Sequence, residues 1–98
     1  NDPRRESRKR ALFWLGQKAG KEAAETLERT AAEDPDAEIQ KAAVFGISQL
    51  APDEAIPRLV RLATSHQSRA VRKQALFWLG QSDDPRALEA IERILLGS

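Results

Sequence analysis

Ala75-Leu76-Phe77-Trp78-Leu79-Gly80-Gln81 repeats, letter for letter, the stretch Ala11-Leu12-Phe13-Trp14-Leu15-Gly16-Gln17 that stands 64 residues earlier. Midway between them, Ala43-Val44-Phe45-Gly46-Ile47-Ser48-Gln49 is a degenerate third copy. Three copies spaced by 32 residues, each with room for two helices, are the signature of helices stacked in a linear array rather than around a single closed core. The likeness extends past the seven residues. Arg8 to Arg29 and Arg72 to Arg93 agree at 13 of 22 positions, where unrelated sequences agree at about one or two. Lys9/Lys41/Lys73, Ala11/Ala43/Ala75, Phe13/Phe45/Phe77, Gln17/Gln49/Gln81, Ala23/Ala55/Ala87 and Arg29/Arg61/Arg93 are invariant across the three copies.

The expected architecture is therefore all-α, a solenoid of three helix-turn-helix units with six helices, in one domain over residues 1–98. The units run over about 1–33, 34–65 and 66–98. Asp34-Pro35-Asp36 supplies a capping acceptor and a proline for the first helix of the middle unit, Asp2-Pro3 does so for the first unit, and Ser65 and Ser68 stand there in the third. Ile39, Ala42, Ala43, Gly46, Ile47 and Leu50 then recur at helical spacing, leaving Glu38, Gln40 and Lys41 toward water. Breakers follow at Gly16 to Gly20, Ala51-Pro52-Asp53 and Ser82-Asp83-Asp84-Pro85. Second helices are predicted over 21–33, 53–64 and 85–96, the middle one burying Ala55, Ile56, Leu59, Leu62 and Ala63, with Pro57 in its first turn.

Composition bounds the function. Sixteen basic and fifteen acidic residues give a net charge of +1, so no global field attracts a polyanion. Without cysteine there is no disulfide framework and no thiolate metal site, and the compartment stays open between the cytoplasm and export after loss of a signal. No apolar run reaches the ~18 residues of a membrane span. A chain that starts Asn1-Asp2-Pro3 and ends Gly97-Ser98 reads as a piece of a longer protein.

The pattern Asp-Pro-x-x-x-Val/Ile-Arg-x-x-Ala-x-x-x-Leu-Gly, then an Asp-Pro or Pro-Asp turn and Ala-Leu/Ile-x-x-Leu/Ile, resembles the short bacterial HEAT-like repeats, including those named after phycobilin lyases. Val71-Arg72, Ala75, Leu79-Gly80 and Asp84-Pro85-Arg86-Ala87-Leu88 carry it best. Unit two departs from it with Gly46-Ile47-Ser48, and unit one has Ser7 where a branched aliphatic is preferred. The resemblance implies a right-handed superhelix, with first helices on the convex side and second helices on a concave side that is the default binding surface.

On the second helices, Glu22, Glu25, Glu28 and Arg29, then Glu54, Arg58 and Arg61, and then Arg86, Glu89, Glu92 and Arg93 point away from the predicted stripe. The invariant column Arg29/Arg61/Arg93 is either a ladder for carboxylates or phosphates or a set of i,i+4 surface pairs, Glu25–Arg29 and Glu89–Arg93. Arg61, with Pro57 four residues before it, has no such local partner and reads as the most available cation. The basic run Arg4-Arg5-Glu6-Ser7-Arg8-Lys9-Arg10 suits nucleic acid or an anionic membrane surface, or else is a solvated helix start or one that packs against a preceding unit; it has no interleaved aromatics for base stacking. Trp14 and Trp78 belong to the apolar stripe, while Phe13, Phe45 and Phe77 lie off it, in a seam between units or on an exposed convex strip.

Catalysis has no warrant in these residues: His66 is alone in a turn beside Ser65 and Ser68, and no metal, nucleotide or cofactor motif is present. Two readings follow. The leading one is a non-catalytic scaffold that binds a protein partner through its second-helix face. The alternative is a nucleic-acid-binding module using the basic helix and the arginine column. Ile91, Ile94, Leu95 and Leu96 leave an apolar C-terminal edge, expected to be covered by a second copy or by a following segment.

Overall fold

In a computed structural model of the chain, residues 3–17, 21–65 and 68–97 are described, with the side chains of all but residues 3, 12–17 and 65. They form six helices: α1 (Pro3–Gln17), α2 (Lys21–Glu33), α3 (Ala37–Ser48), α4 (Pro52–Ser65), α5 (Arg69–Gln81) and α6 (Pro85–Leu96). No strand occurs among the described residues. The boundaries follow local chemistry. Asp36 Oδ1 accepts from the Glu38 N–H at 2.9 Å, Ser68 Oγ from Val71 and Asp84 Oδ1 from Arg86, so each cap satisfies a donor left orphaned by the helix start. Gly97 ends α6 in the left-handed region at φ 73°, a conformation that a residue with a Cβ adopts only at a cost. Pro57 differs from expectation. It lies inside α4, because that helix starts at Pro52, and so it removes one internal i→i−4 hydrogen bond.

The helices form two layers. α1, α3 and α5 lie side by side in one, α2, α4 and α6 in the other, and α2 against α3 and α4 against α5 close the joints between successive pairs. The body measures 41 × 27 × 19 Å, elongated as a linear array requires. Ile39, Ala43, Gly46 and Ile47 of α3 are buried, as are Ala55, Ile56, Leu59, Leu62 and Ala63 of α4. Val44, off the expected stripe, is buried as well, because α3 is central and has neighbours on several sides. Leu79 and Ile47 are deep in the core; the equivalent Leu15, with Phe13 and Trp14, lies outside the described side chains, and His66 outside the described residues.

The aromatic column divides. Phe45 packs edge-on against Trp78 with ring centroids 5.2 Å apart, which joins α3 to α5. Phe77 also meets Trp78 edge-on, at 4.9 Å, but remains 54% exposed. The seam reading therefore holds for Phe45, and Phe77 belongs to an exposed surface.

Ion pairs tie helices that are distant in sequence. Arg5 Nε lies 2.9 Å from Asp36 Oδ2, Arg8 pairs with Asp34, and Lys9 Nζ lies 3.7 Å from Glu38 Oε1, so the basic face of α1 meets the acidic start of α3. Three cations of the basic run thus pair within the molecule, with carboxylates at the start of the next first helix, where Asp36 is the cap and negative charge suits the helix dipole. Between α2 and α4, Glu28 accepts from Arg61 Nε at 2.6 Å and Arg61 Nη2 at 2.7 Å, while its Oε1 lies 3.5 Å from Arg58 Nε. The hydrogen bonds from Arg61, helped by both positive charges, hold the Glu28 carboxyl below its usual pKa although burial works the other way. Arg86 and its own N–H hold Asp84 down to about 2 in the same manner.

Two outcomes follow. Leu79→Ala, emptying a site 1% exposed, is expected to cost about 2–5 kcal/mol in urea unfolding; a loss below about 0.5 kcal/mol contradicts the stacking described. Carboxyls with depressed pKa contribute stability that is fully present above their ordinary values and lost as pH falls through the folded ones. Unfolding free energy should therefore decline as pH falls from 4.5, the ordinary glutamate value, toward about 2. Glu28→Gln should flatten part of that slope and cost about 1–3 kcal/mol at pH near 7, both read from urea titrations at several pH values.

Candidate functional site

The second-helix layer carries a groove between α4 and α6. Its walls include Pro57, Val60, Arg61 and Thr64 from α4 and Arg86, Glu89, Ala90, Arg93 and Ile94 from α6, with Arg72 of α5 reaching it from the other layer. The floor is apolar because Ile56 and Ala63, on the buried stripe of α4, come to its surface there. The groove encloses about 980 Å³ and is open to solvent, which suits a length of polypeptide better than a sealed small molecule. Four arginines and one glutamate are among its lining residues, and two of the arginines, Arg61 and Arg86, are ion-paired.

The structure redistributes the candidate residues. Arg29 and Glu25 on α2, and Arg93 and Glu89 on α6, are exposed. Arg58 is not: only 7% exposed, it is held by Glu54 Oε1 at 2.6 Å, by the Glu54 carbonyl at 3.2 Å and by Glu28. Its placement on the outward face is thus corrected, since α4 is covered by α2 along the flank where Arg58 emerges. A guanidinium buried this far is retained because two carboxylates compensate its desolvation. Arg61 is also corrected. Lacking a partner at i−4, it takes one 33 residues away, and both arms of its guanidinium fork engage Glu28. Far from being the most available cation, it is the most firmly held of the column.

Among the described residues, neither Glu25–Arg29 nor Glu89–Arg93 approaches within ion-pair distance, so the local-pair reading of the column does not describe this structure. The difference between Arg61 and Arg93 lies in a neighbouring column. The residue one repeat after Glu28 is Val60, and Val60 lines the same groove as Arg93. At the position where the preceding repeat offers Arg61 a carboxylate, this one has an isopropyl group, and no acidic side chain among the described residues pairs with Arg93. The invariant column does not by itself tell Arg61 from Arg93. The signal that separates its members was the substitution Glu28, Val60, Glu92 in the column that faces it.

Arg86, at the start of α6, is gripped by Asp84 at 2.9 Å and by Asp53 of α4 at 2.8 Å, which raises its pKa further above the guanidinium range and closes one end of the groove. Arg93 stands toward the other end, in the last turn of α6. No helix among the described residues is long and apolar enough to cross a membrane.

The family of HEAT repeats matches the chain twice, over residues 1–65 and over residues 30–98, overlapping in the middle as successive repeats do. No curated protein and no solved structure matches it. The two matches together span the whole sequence and agree with its repeat register and its six helices in two layers, and the chain belongs to the HEAT-repeat family.

Proposed function

We propose that the protein is a binding scaffold that holds a segment of a partner protein in the α4–α6 groove, an apolar stretch of that segment on the groove floor and an acidic side chain on Arg93. HEAT repeats commonly serve as protein-interaction scaffolds and are in general non-catalytic. The observation that carries the finer reading is the exposed guanidinium of Arg93 standing over an apolar surface, with Val60 where the preceding repeat has the carboxylate that occupies Arg61. A guanidinium beside apolar surface binds a carboxylate by two parallel hydrogen bonds in a partly desolvated setting, where such bonds are stronger than in water. Burial of two or three aliphatic side chains on Val60, Ala90 and Ile94 adds roughly 1.5–3 kcal/mol each before the entropy of ordering the segment is subtracted. Glu89 on the rim disfavours a second acid at that point and so contributes register.

This assignment draws on Arg93 and Glu89 directly. Arg58 and Arg61 act beneath it, fixing α4 against α2 through Glu28 and so setting the position of one wall. The basic face of α1, engaged with Asp34, Asp36 and Glu38, offers no support for a nucleic-acid surface.

Selection of displayed random peptides on the immobilised protein tests the reading. Selected peptides should combine Asp or Glu with Leu, Ile or Phe. Val60→Glu, which supplies Arg93 with the carboxylate its neighbour already has, and Arg93→Ala should each weaken their binding about tenfold or more, equivalent to ~1.4 kcal/mol. Selected peptides that bind both variants as tightly as the parent would place the site elsewhere. Duplex DNA bound at low salt with a steep salt dependence would favour a phosphate partner instead.

A further inference from the structure

The columns of the repeat reveal which surface each helix pair hides on the next. Ala24, Ile56 and Leu88 are equivalent positions of α2, α4 and α6, and they are 0%, 7% and 62% exposed. Ala31, Ala63 and Leu95 run 0%, 5% and 75% in the same order. Phe45 is half-buried under Trp78, and its equivalent Phe77 is exposed. Exposure rises only on the α5/α6 pair, at positions that a following pair covers in the two earlier cases. The opposite end shows the complement. Ala43 and Ala75 are fully buried, yet Ala11 is exposed although α1 has α2 and α3 against it. The cover that Ala11 lacks is the one a preceding pair provides.

We propose that these two edges fit each other between copies: the α5/α6 end of one molecule docks head to tail on the α1/α2 end of a second copy, whose α1 takes the place on α5/α6 that α5 takes on α3/α4. The occupant is a second copy because α1 carries the same Ala-Leu-Phe-Trp-Leu-Gly-Gln as the helix that already fits this kind of surface, and Arg8-Lys9 before it matches Arg72-Lys73. The receiving edge is likewise equivalent to the α3/α4 edge and more apolar than it, with Leu95 and Leu96 where α4 has Ala63 and Thr64.

Charges agree with the same register. Within the molecule, Glu28 of α2 receives Arg61 of the next second helix; carried one step past α6, that pairing sets Glu92 against Arg29 of the second copy. Both partners are available for it, since Glu92 and Arg29 are exposed and neither is ion-paired among the described residues. The Lys9–Glu38 pair likewise translates into Lys73 against Glu6 of the second copy, both exposed. One contact opposes docking: Arg69 falls opposite Arg4, where α1 and α3 have Arg5 and Asp36. That mismatch on a rim weakens the contact and leaves its apolar centre intact. The contact is heterologous, so it propagates into short open chains rather than closing as a symmetric dimer. It uses the edges of the array, and the α4–α6 groove is not part of it.

Sedimentation velocity and light scattering over a concentration series, on the full chain, decide the matter. The parent should gain mass steadily with concentration into the high micromolar range. Leu95→Lys removes the receiving edge and Ala11→Glu the incoming one; both residues are exposed in the single molecule, so each variant should keep its helical circular dichroism and remain monomeric. Because each variant retains the edge the other has lost, an equimolar mixture should form a 1:1 heterodimer and stop there. A parent that stays monomeric, an Ala11→Glu variant that associates as strongly as the parent, or a mixture that fails to associate would each overturn the proposal.

Discussion

Everything in this molecule depends on the fact that a pair of helices cannot bury its apolar surface by itself. Each pair here is short, and the side chains that make up its stripe, such as Ile39 and Ile47 on α3 or Leu59 and Leu62 on α4, are buried together with the facing helices of the adjacent pairs. The alanine column makes that approach close. Ala43 and Ala75 are fully buried at the joints where α3 and α5 meet the second helices before them, and a larger side chain there would hold the pairs apart. Stability is thus a property of the joints, passed from one pair to the next, and so is the exposure at the two ends.

Charge is used at the same joints, but with a different effect. Glu28 collects two arginines from α4, and the acidic turn at Asp34 and Asp36 collects Arg5 and Arg8 from α1. Such pairs add little net energy at a surface and more where a guanidinium is buried as deeply as Arg58. Their structural consequence is register: each links residues about one repeat apart, and a helix slipped by a turn would leave Arg58 buried without its carboxylates. At the α4–α6 joint Asp53 takes Arg86, but Val60 stands at the position equivalent to Glu28. The same substitution removes an intramolecular carboxylate and adds apolar surface, which is why a binding groove is proposed at that joint rather than between α2 and α4, where Glu28 fills the equivalent position.

The amount of this that can be read from one dimension varies with distance along the chain. Helix limits were legible to within a residue or two: the prolines and capping acceptors at Asp36, Ser68 and Asp84 act over three or four residues, and the ranges 21–33 and 85–96 agree with the observed α2 and α6. The buried stripe of α4 was legible too, since a period of 3.6 needs only the helix itself. Pro57 was misplaced because even from the predicted start at 53 it is the fifth residue, past the first turn, where the ladder uses the N–H it lacks. Arg58 and Arg61 were misread for a deeper reason. Which side of a second helix faces its neighbour in the array depends on the angle between pairs, and that angle is absent from a helical wheel.

What the sequence determined by itself was the repeat of 32 residues, the six helices, the stacking core and the presence of an arginine column, because all of these follow from local periodicity and from the comparison of the chain with itself. What only the tertiary structure decided was which of those arginines is held and which stands open. Arg61 and Arg93 are the same residue at the same place in the repeat, with a glutamate four residues before Arg93 and none before Arg61. Local rules make Arg93 the paired one, yet the reverse is observed, since Arg61 reaches Glu28 across the joint and Arg93 shares its groove with Val60. A guanidinium chooses its partner by distance in space, and packing brings Glu28 to Arg61 from 33 residues away.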